Sequence, residues 1–156
     1  MDLKKILLIT ILAVTVFSCM AAVSAESVTV DGTTFNVPSG FSKDTNMSNK
    51  VLICTFIPTE IKNPDLNNIK TFTDGKNIVG ITVQDAGNHD LNDFKRDAQN
   101  DTEKTISGKS GLLGETRAMD QDGNVLYELV VFKYIENGKL YIIVAPDEAT
   151  VEKIIS

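Results

Sequence analysis

The chain is poor in the residues from which most catalytic and metal sites are built: it has one histidine, two cysteines, and 15 basic against 21 acidic side chains. A Ser-His-Asp triad or a zinc site would have to form around His89, the single histidine. Its neighbours Asp85, Asn88, Asp90 and Asp93 are carboxylates and amides at a junction between a predicted strand and a predicted helix. That setting reads as a solvated loop carrying helix caps. Of the two thiols, only Cys54 lies outside the amino-terminal apolar run. One thiol closes no internal disulfide, even in an oxidising compartment. Within Val51-Leu52-Ile53-Cys54-Thr55-Phe56-Ile57 it reads as a small buried hydrophobe on a strand rather than a nucleophile. The basic residues are scattered, whereas a binder of nucleic acid or of anionic membrane needs a basic patch to displace counterions.

Two nucleotide and acyl-transfer signatures are also missing. Gly108-Lys109-Ser110 has the form of the end of a phosphate loop, but the glycine required five residues earlier is Glu103. A nucleophile elbow at Ser110 would need glycine at position 112, which is Leu112. No internal repeat, low-complexity tract or linker divides the chain.

What is present begins with an address. Met1-Asp2-Leu3-Lys4-Lys5 is a short positive start, Ile6 to Val16 is apolar, and Val23-Ser24-Ala25 offers the small residues that a signal peptidase reads. Residues 1–25 are therefore expected to be a signal peptide cleaved between Ala25 and Glu26, leaving residues 26–156 as one globular domain. Two other fates stay open. Residues 6–23 reach the lower length of a membrane anchor, and Val16-Phe17-Ser18-Cys19 loosely resembles a lipobox with Cys19 as the modified residue. Without Asp2, Lys4 and Lys5 the remaining 131 residues carry 13 basic and 20 acidic side chains, a net charge of −7. A domain of that length buries roughly two thirds of its unfolded surface, enough for a core without staples.

Along that domain, Val28 to Val30 and Thr33 to Val37 flank Asp31-Gly32, and Thr71 to Thr73 and Ile78 to Gln84 flank Asp74-Gly75; both read as hairpins. Val51 to Ile57, apolar on both faces, reads as a covered strand, and a helical turn is expected near Leu66 to Ile69. Leu91, Phe94, Ala98, Thr102 and Ile106 fall on one side of a helical wheel. With Asp90 and Asp93 as caps and Gly108 as the stop, the spacing predicts one long helix over about 90–106. Gly111 to Asp120, Val125 to Ile135 and Leu140 to Ala145 read as a meander turned by Asp122-Gly123 and Asn137-Gly138. Val151, Ile154 and Ile155 mark a short terminal helix over about 147–155. The expected class is α+β, a mainly antiparallel sheet of about 6–8 strands with helices on its faces, an α/β/α sandwich being one arrangement.

The exported start, the segment Thr33-Thr34-Phe35-Asn36-Val37-Pro38-Ser39-Gly40-Phe41 and the closing stretch from Tyr134 to Ser156 resemble small uncharacterised secreted proteins of methanogenic archaea. The Phe-x-x-Pro-x-Gly-Phe opening and the strand order are also similar to the PsbP and Mog1-like domains. That resemblance implies a binding or scaffolding role and transfers no site residue.

The expected function is an exported, non-enzymatic binding or interaction domain with no implied cofactor. Its partner would be an extracellular protein or cell-surface ligand, with membrane involved only if the amino-terminal segment is retained. Two further functions stay open. One is a small extracellular hydrolase using two carboxylates across a cleft. Glu128, mid-strand and able to pair across strands with Arg117 or Lys133, is the carboxylate to watch. The other is a calcium or solute-binding protein using Asp85, Asn88 and Asp90 as hard oxygen ligands. Asp120 to Asn124 resembles part of a calcium loop but reads as a turn. Asn46 and Asn100 begin N-glycosylation sequons in polar settings.

Mass spectrometry of the protein from medium and envelope tests the address. A mature chain beginning at Glu26 in the medium is expected, and an intact or Cys19-lipidated chain in the envelope would make it a tethered module.

Overall fold

The computed structural model describes residues 26–96 and 100–156. The cleavage site at Ala25, the lipobox cysteine Cys19, the anchor over residues 6–23 and position 98 of the predicted helical stripe lie outside these residues. Among the described residues, nine strands and two α-helices follow in the order β1 (Glu26–Val30), β2 (Thr33–Val37), β3 (Ser42–Lys43), α1 (Met47–Cys54), β4 (Ile69–Thr73), β5 (Ile78–Asp85), β6 (Thr102–Ile106), β7 (Lys109–Met119), β8 (Val125–Glu136), β9 (Lys139–Ala145) and α2 (Glu148–Ile155). The fold is α+β and mainly antiparallel. β1 and β2 form a separate hairpin, and the other seven strands form one sheet in the order β3-β4-β5-β9-β8-β7-β6, every neighbouring pair antiparallel.

Local chemistry sets the strand connections. Asp31-Gly32 and Asn137-Gly138 each place two successive residues at positive φ, as a two-residue hairpin requires. β7, β8 and β9 are consecutive neighbours, so the meander expected from residues 111–145 is present. β8 pairs with β9 only from Val130 onward, where Ala145 is its partner. Pro146 follows and has no N–H to extend the ladder. On the other side, β6 pairs with β7 only as far as Leu113. The distal half of the β7–β8 hairpin therefore projects from the sheet as a two-stranded ribbon. Met119, Val125 and Leu126 are exposed at its tip.

The central strands are apolar on both sides, so the sheet is covered twice. On one face Phe72, Val79, Ile81, Val83, Phe132, Tyr134, Tyr141 and Ile143 meet the β1–β2 hairpin through Val30, Phe35 and Val37, and meet α2 through Val151 and Ile154. The rings of Tyr134 and Tyr141 stack there at 4.6 Å. Burial raises the Tyr134 phenol well above its usual range. On the other face Ile69, Ile78, Leu129, Val131, Leu140, Ile142 and Val144 meet Ile53 of α1, Phe56, Ile57 and Phe94. Each large side chain buried this way contributes about 1.5–3 kcal/mol.

Three expectations fail, each for a physical reason. Val51 to Ile57 is not a strand: Asn46 accepts from Ser48 N at 2.9 Å and caps α1, and Cys54 ends that helix half-buried. A short apolar run fits a helix seated against a core as well as it fits a strand. The long helix over 90–106 is absent. Asp90 and Asp93 do form a capping box, but on a 3-10 turn, Leu91–Phe94, and Thr102–Ile106 pairs with β7 as strand β6. Gly108 accordingly ends no helix; with Ser107 it turns the β6–β7 hairpin. The two α-helices among the described residues each have eight residues. The helical turn expected near Leu66 is there, as a 3-10 turn over Leu66–Asn68. No helix among the described residues is long and apolar enough to cross a membrane.

Gly80 is where α1 approaches the sheet. A Cβ placed on it would lie 2.5 Å from Ile53 Cδ1. Gly80→Ala is expected to cost about 1–3 kcal/mol of stability in urea unfolding. The cost should shrink in an Ile53→Ala background, since the two sites then no longer collide.

Candidate functional site

β5 ends beside the β8–β9 turn, and the loops around that end enclose a polar groove of about 780 Å³. Four segments supply its walls: the turn after β5 with Asp85, Asn88 and His89; residues 60–68; the β8–β9 turn; and Asp31 of the β1–β2 hairpin.

Each wall is tied to the sheet. Gln84, buried at the end of β5, accepts from Asp65 N at 2.8 Å and donates Nε2 to Asp65 O at 3.0 Å. One side chain thus replaces a strand partner for the loop backbone. Ala86 N donates to Gly138 O at 2.9 Å, holding the turn after β5 against the β8–β9 turn. Lys139 Nζ donates to Asp31 Oδ2 at 2.5 Å, joining the small hairpin to the sheet. That hydrogen bond raises the Lys139 pKa by favouring the ammonium.

The predicted metal residues divide here. Asp85 and Asn88 line the groove, whereas Asp90 does not. Asp85 Oδ1 accepts from Gly87 N at 2.8 Å, and Asp90 Oδ1 accepts from Asn92 N at 2.8 Å within its own capping box. His89 sits with Nδ1 3.2 Å from Asp93 Oδ2 and its ring against Phe94, an exposed local arrangement. Among the described residues, no three His, Cys, Asp or Glu side chains come together as a metal site. Asp120 accepts from Asn124 and Asp122 N, hydrogen bonds that lower its pKa and close the β7–β8 turn. Both sequon asparagines are exposed: Asn46 caps α1, and Asn100 stands at φ 48° beside Asp101.

A second groove, of about 740 Å³, lies between the projecting ribbon and the start of α2. Glu128 is there, 3.3 Å from Arg117 Nε and exposed, so of its two expected partners it takes Arg117. The other, Lys133, points to the opposite face. It is fully buried and donates Nζ to Asp101 Oδ2 at 2.5 Å and to Phe94 O at 2.9 Å.

Sequence reasoning missed Asp31, Asp65, Gln84 and Lys139, which come together only through sheet order. It also missed the Lys133–Asp101 pair, although a lysine between Phe132 and Tyr134 in an apolar strand was a visible signal. Comparison with protein-family models, curated proteins and solved structures returns no match.

Lys139 gives the groove a titration signature. Its raised pKa means that the Asp31 interaction stabilises the fold below the ordinary lysine value and is lost as pH rises through the folded value. Asp31→Asn is expected to bring the Lys139 titration, followed by NMR, down towards that of an ordinary lysine and to remove this alkaline loss of stability.

Proposed function

We propose that the chain is an exported, non-catalytic binding module whose ligand seats in the groove at the end of β5. The observation that carries this reading is that four loops converge there, each fastened to the sheet by hydrogen bonds or an ion pair. Loops on a rigid scaffold are where recognition residues concentrate, and the volume falls within the usual range for ligand sites. The lining is rich in amides and carboxylates, including Asn63, Asn68, Asn88 and Asn137, which suits a polar extracellular protein or cell-surface ligand. Export is supported by the amino-terminal sequence, with its positive start, apolar run and small residues before Glu26. The net negative charge argues against nucleic acid and against an anionic membrane as partners.

The two rival readings draw on the same groove. A hydrolase needs a general acid in a dry setting, and Asp65 and Asp85 stand exposed with an oxygen of each already engaged by the backbone. Calcium binding would use Asp85 and Asn88 without Asp90. The likeness to PsbP or Mog1-like domains and to secreted proteins of methanogenic archaea is a further proposal, and it rests on the Thr33 to Phe41 segment and the closing stretch from Tyr134 to Ser156.

Co-sedimentation of the purified domain with cell envelope from its host tests the reading. The wild type is expected in the pellet, and Asn63→Arg with Asn88→Arg, at two exposed groove positions, is expected to leave it in solution. Equal retention of both proteins, or turnover of cell-wall or peptide substrates by the wild type, would sink the proposal. A rise in melting temperature with calcium alone would favour the ion-binding reading.

A further inference from the structure

We propose that Lys133 and Asp101 condense into an intramolecular amide, a covalent cross-link between the middle of β8 and the residue that leads into β6. Both side chains are fully excluded from solvent, and Lys133 Nζ lies 2.5 Å from Asp101 Oδ2. Phe94 packs in the same apolar layer as Val131, one face-mate along β8. Two opposite charges sealed in such a layer carry a desolvation cost that their attraction offsets only in part. An amide removes both charges.

The balance needs no added reagent. The ammonium and carboxylate together hold the same protons as an amine and a carboxylic acid, and the hydrogen bond between them is the path for the transfer. Burial pushes the Lys133 pKa down while Asp101 opposes that shift, so the neutral amine is drawn closer. Nζ attacks Cγ, the C–N bond forms, and the bond from Cγ to one carboxyl oxygen breaks. Two of the three ammonium protons leave on that oxygen as water, and the third remains as the amide N–H. Groups fixed in contact react as if at very high concentration.

The surroundings suit the product. Asp101 Oδ2 accepts from Arg96 N at 2.8 Å, as an amide carbonyl would, and the remaining N–H can keep the bond to Phe94 O. Asp101 Oδ1 is buried with no hydrogen-bond partner, and it departs as water after taking one proton from the nitrogen now bonded to Cγ and one from Oδ2, which received it along the hydrogen bond from Nζ. Among the described residues, the other charges acting on Lys133 are Arg96 and Glu60. Arg96 directs its guanidinium to Thr55 O and Ile57 O, away from the carboxylate. The link would span 32 positions of a domain whose single thiol allows no disulfide.

Mass spectrometry of the wild-type protein under denaturing conditions decides the matter without requiring any variant to fold. The expected mass is one water below that of the sequence. Trypsin does not cut after an acylated lysine, so the digest should contain a branched peptide joining residues 97–104 to residues 118–139. Lys133→Arg and Asp101→Ala should each restore the full mass and abolish the branched peptide. Linear peptides 97–104 and 118–133 at full yield from the wild type would overturn the proposal. So would a water loss mapped to an Asp-Gly turn or to Glu26.

Discussion

A sheet whose central strands have no polar face must be covered on both sides, and the rest of the chain is arranged to meet that demand. β5, β8 and β9 place apolar side chains alternately into two separate layers. The chain before β3 and the chain after β9 serve one layer, as a hairpin and a helix. The two long connections serve the other: residues 44–68 between β3 and β4, and, between β5 and β6, the described residues 86–96 through Ala86 and Phe94. The second connection has the longer path, because β6 is at the far edge of the sheet and three strands separate it from β5. It has to cross the face of β9, β8 and β7.

That crossing explains why a lysine stands in the middle of β8. A connection laid over a sheet in irregular form brings backbone carbonyls into a region without water, where each needs a donor. Lys133 rises from the sheet beneath it and serves Phe94 O, while the Asp101 carboxylate serves Arg96 N and neutralises the ammonium. Arg96 extends the same network sideways to the carbonyls that follow α1. The two covering connections are thereby tied to each other and to the strand below. As long as the pair stays ionic, removing one partner leaves an uncompensated buried charge, typically at a cost of about 3–5 kcal/mol, whereas a hydrophobic replacement of both can be neutral. The pair is best understood as fixing where the crossing lies.

These features account for which parts of the fold the sequence disclosed. Turns are local: Asp31-Gly32, Asp74-Gly75 and Asn137-Gly138 specify backbone angles within two residues, and every one turns a hairpin. Edges and crossings are not local. The stripe Leu91, Phe94, Thr102 and Ile106 has helical spacing, yet Phe94 fills one layer and Ile106 the other. A single helix face cannot serve two sides of a sheet. Residues 51–57 misled for a different reason: Ile53 seats on Gly80, a position of the sheet that has no side chain, and no pattern within the helix announces the gap. Asn46 was the available warning, since an amide at a cap position before an apolar run marks a helix start. Of the groove, Asp85 and Asn88 were visible because polar residues cluster at the end of β5. Asp31 and Lys139 are 108 positions apart, and only the docking of the first hairpin on the sheet brings them together.

The buried and the exposed polar groups differ in what they do for the fold. Lys133, Asp101 and Gln84 are sequestered, and each satisfies backbone groups that the fold would otherwise leave without partners. The amides at the end of β5 present the opposite case: Asn63 and Asn88 stand in solvent on loops whose backbones are already secured. Among the described residues, no hydrogen bond ties the side chains of Asn63 and Asn88 to the fold, so they can vary in identity with little loss of stability, and they project from loops whose backbones are hydrogen-bonded to the sheet or within themselves. In the proposed binding role, a ligand would meet donors and acceptors already placed, which lowers the ordering cost of binding. A hydrolytic acid would need the reverse arrangement, a carboxyl sheltered from water yet open to substrate. Among the described residues the sheltered carboxylate is Asp101, which lies under the crossing connection, while Asp31, Asp65 and Asp85 at the groove are exposed and Glu60 is half-buried.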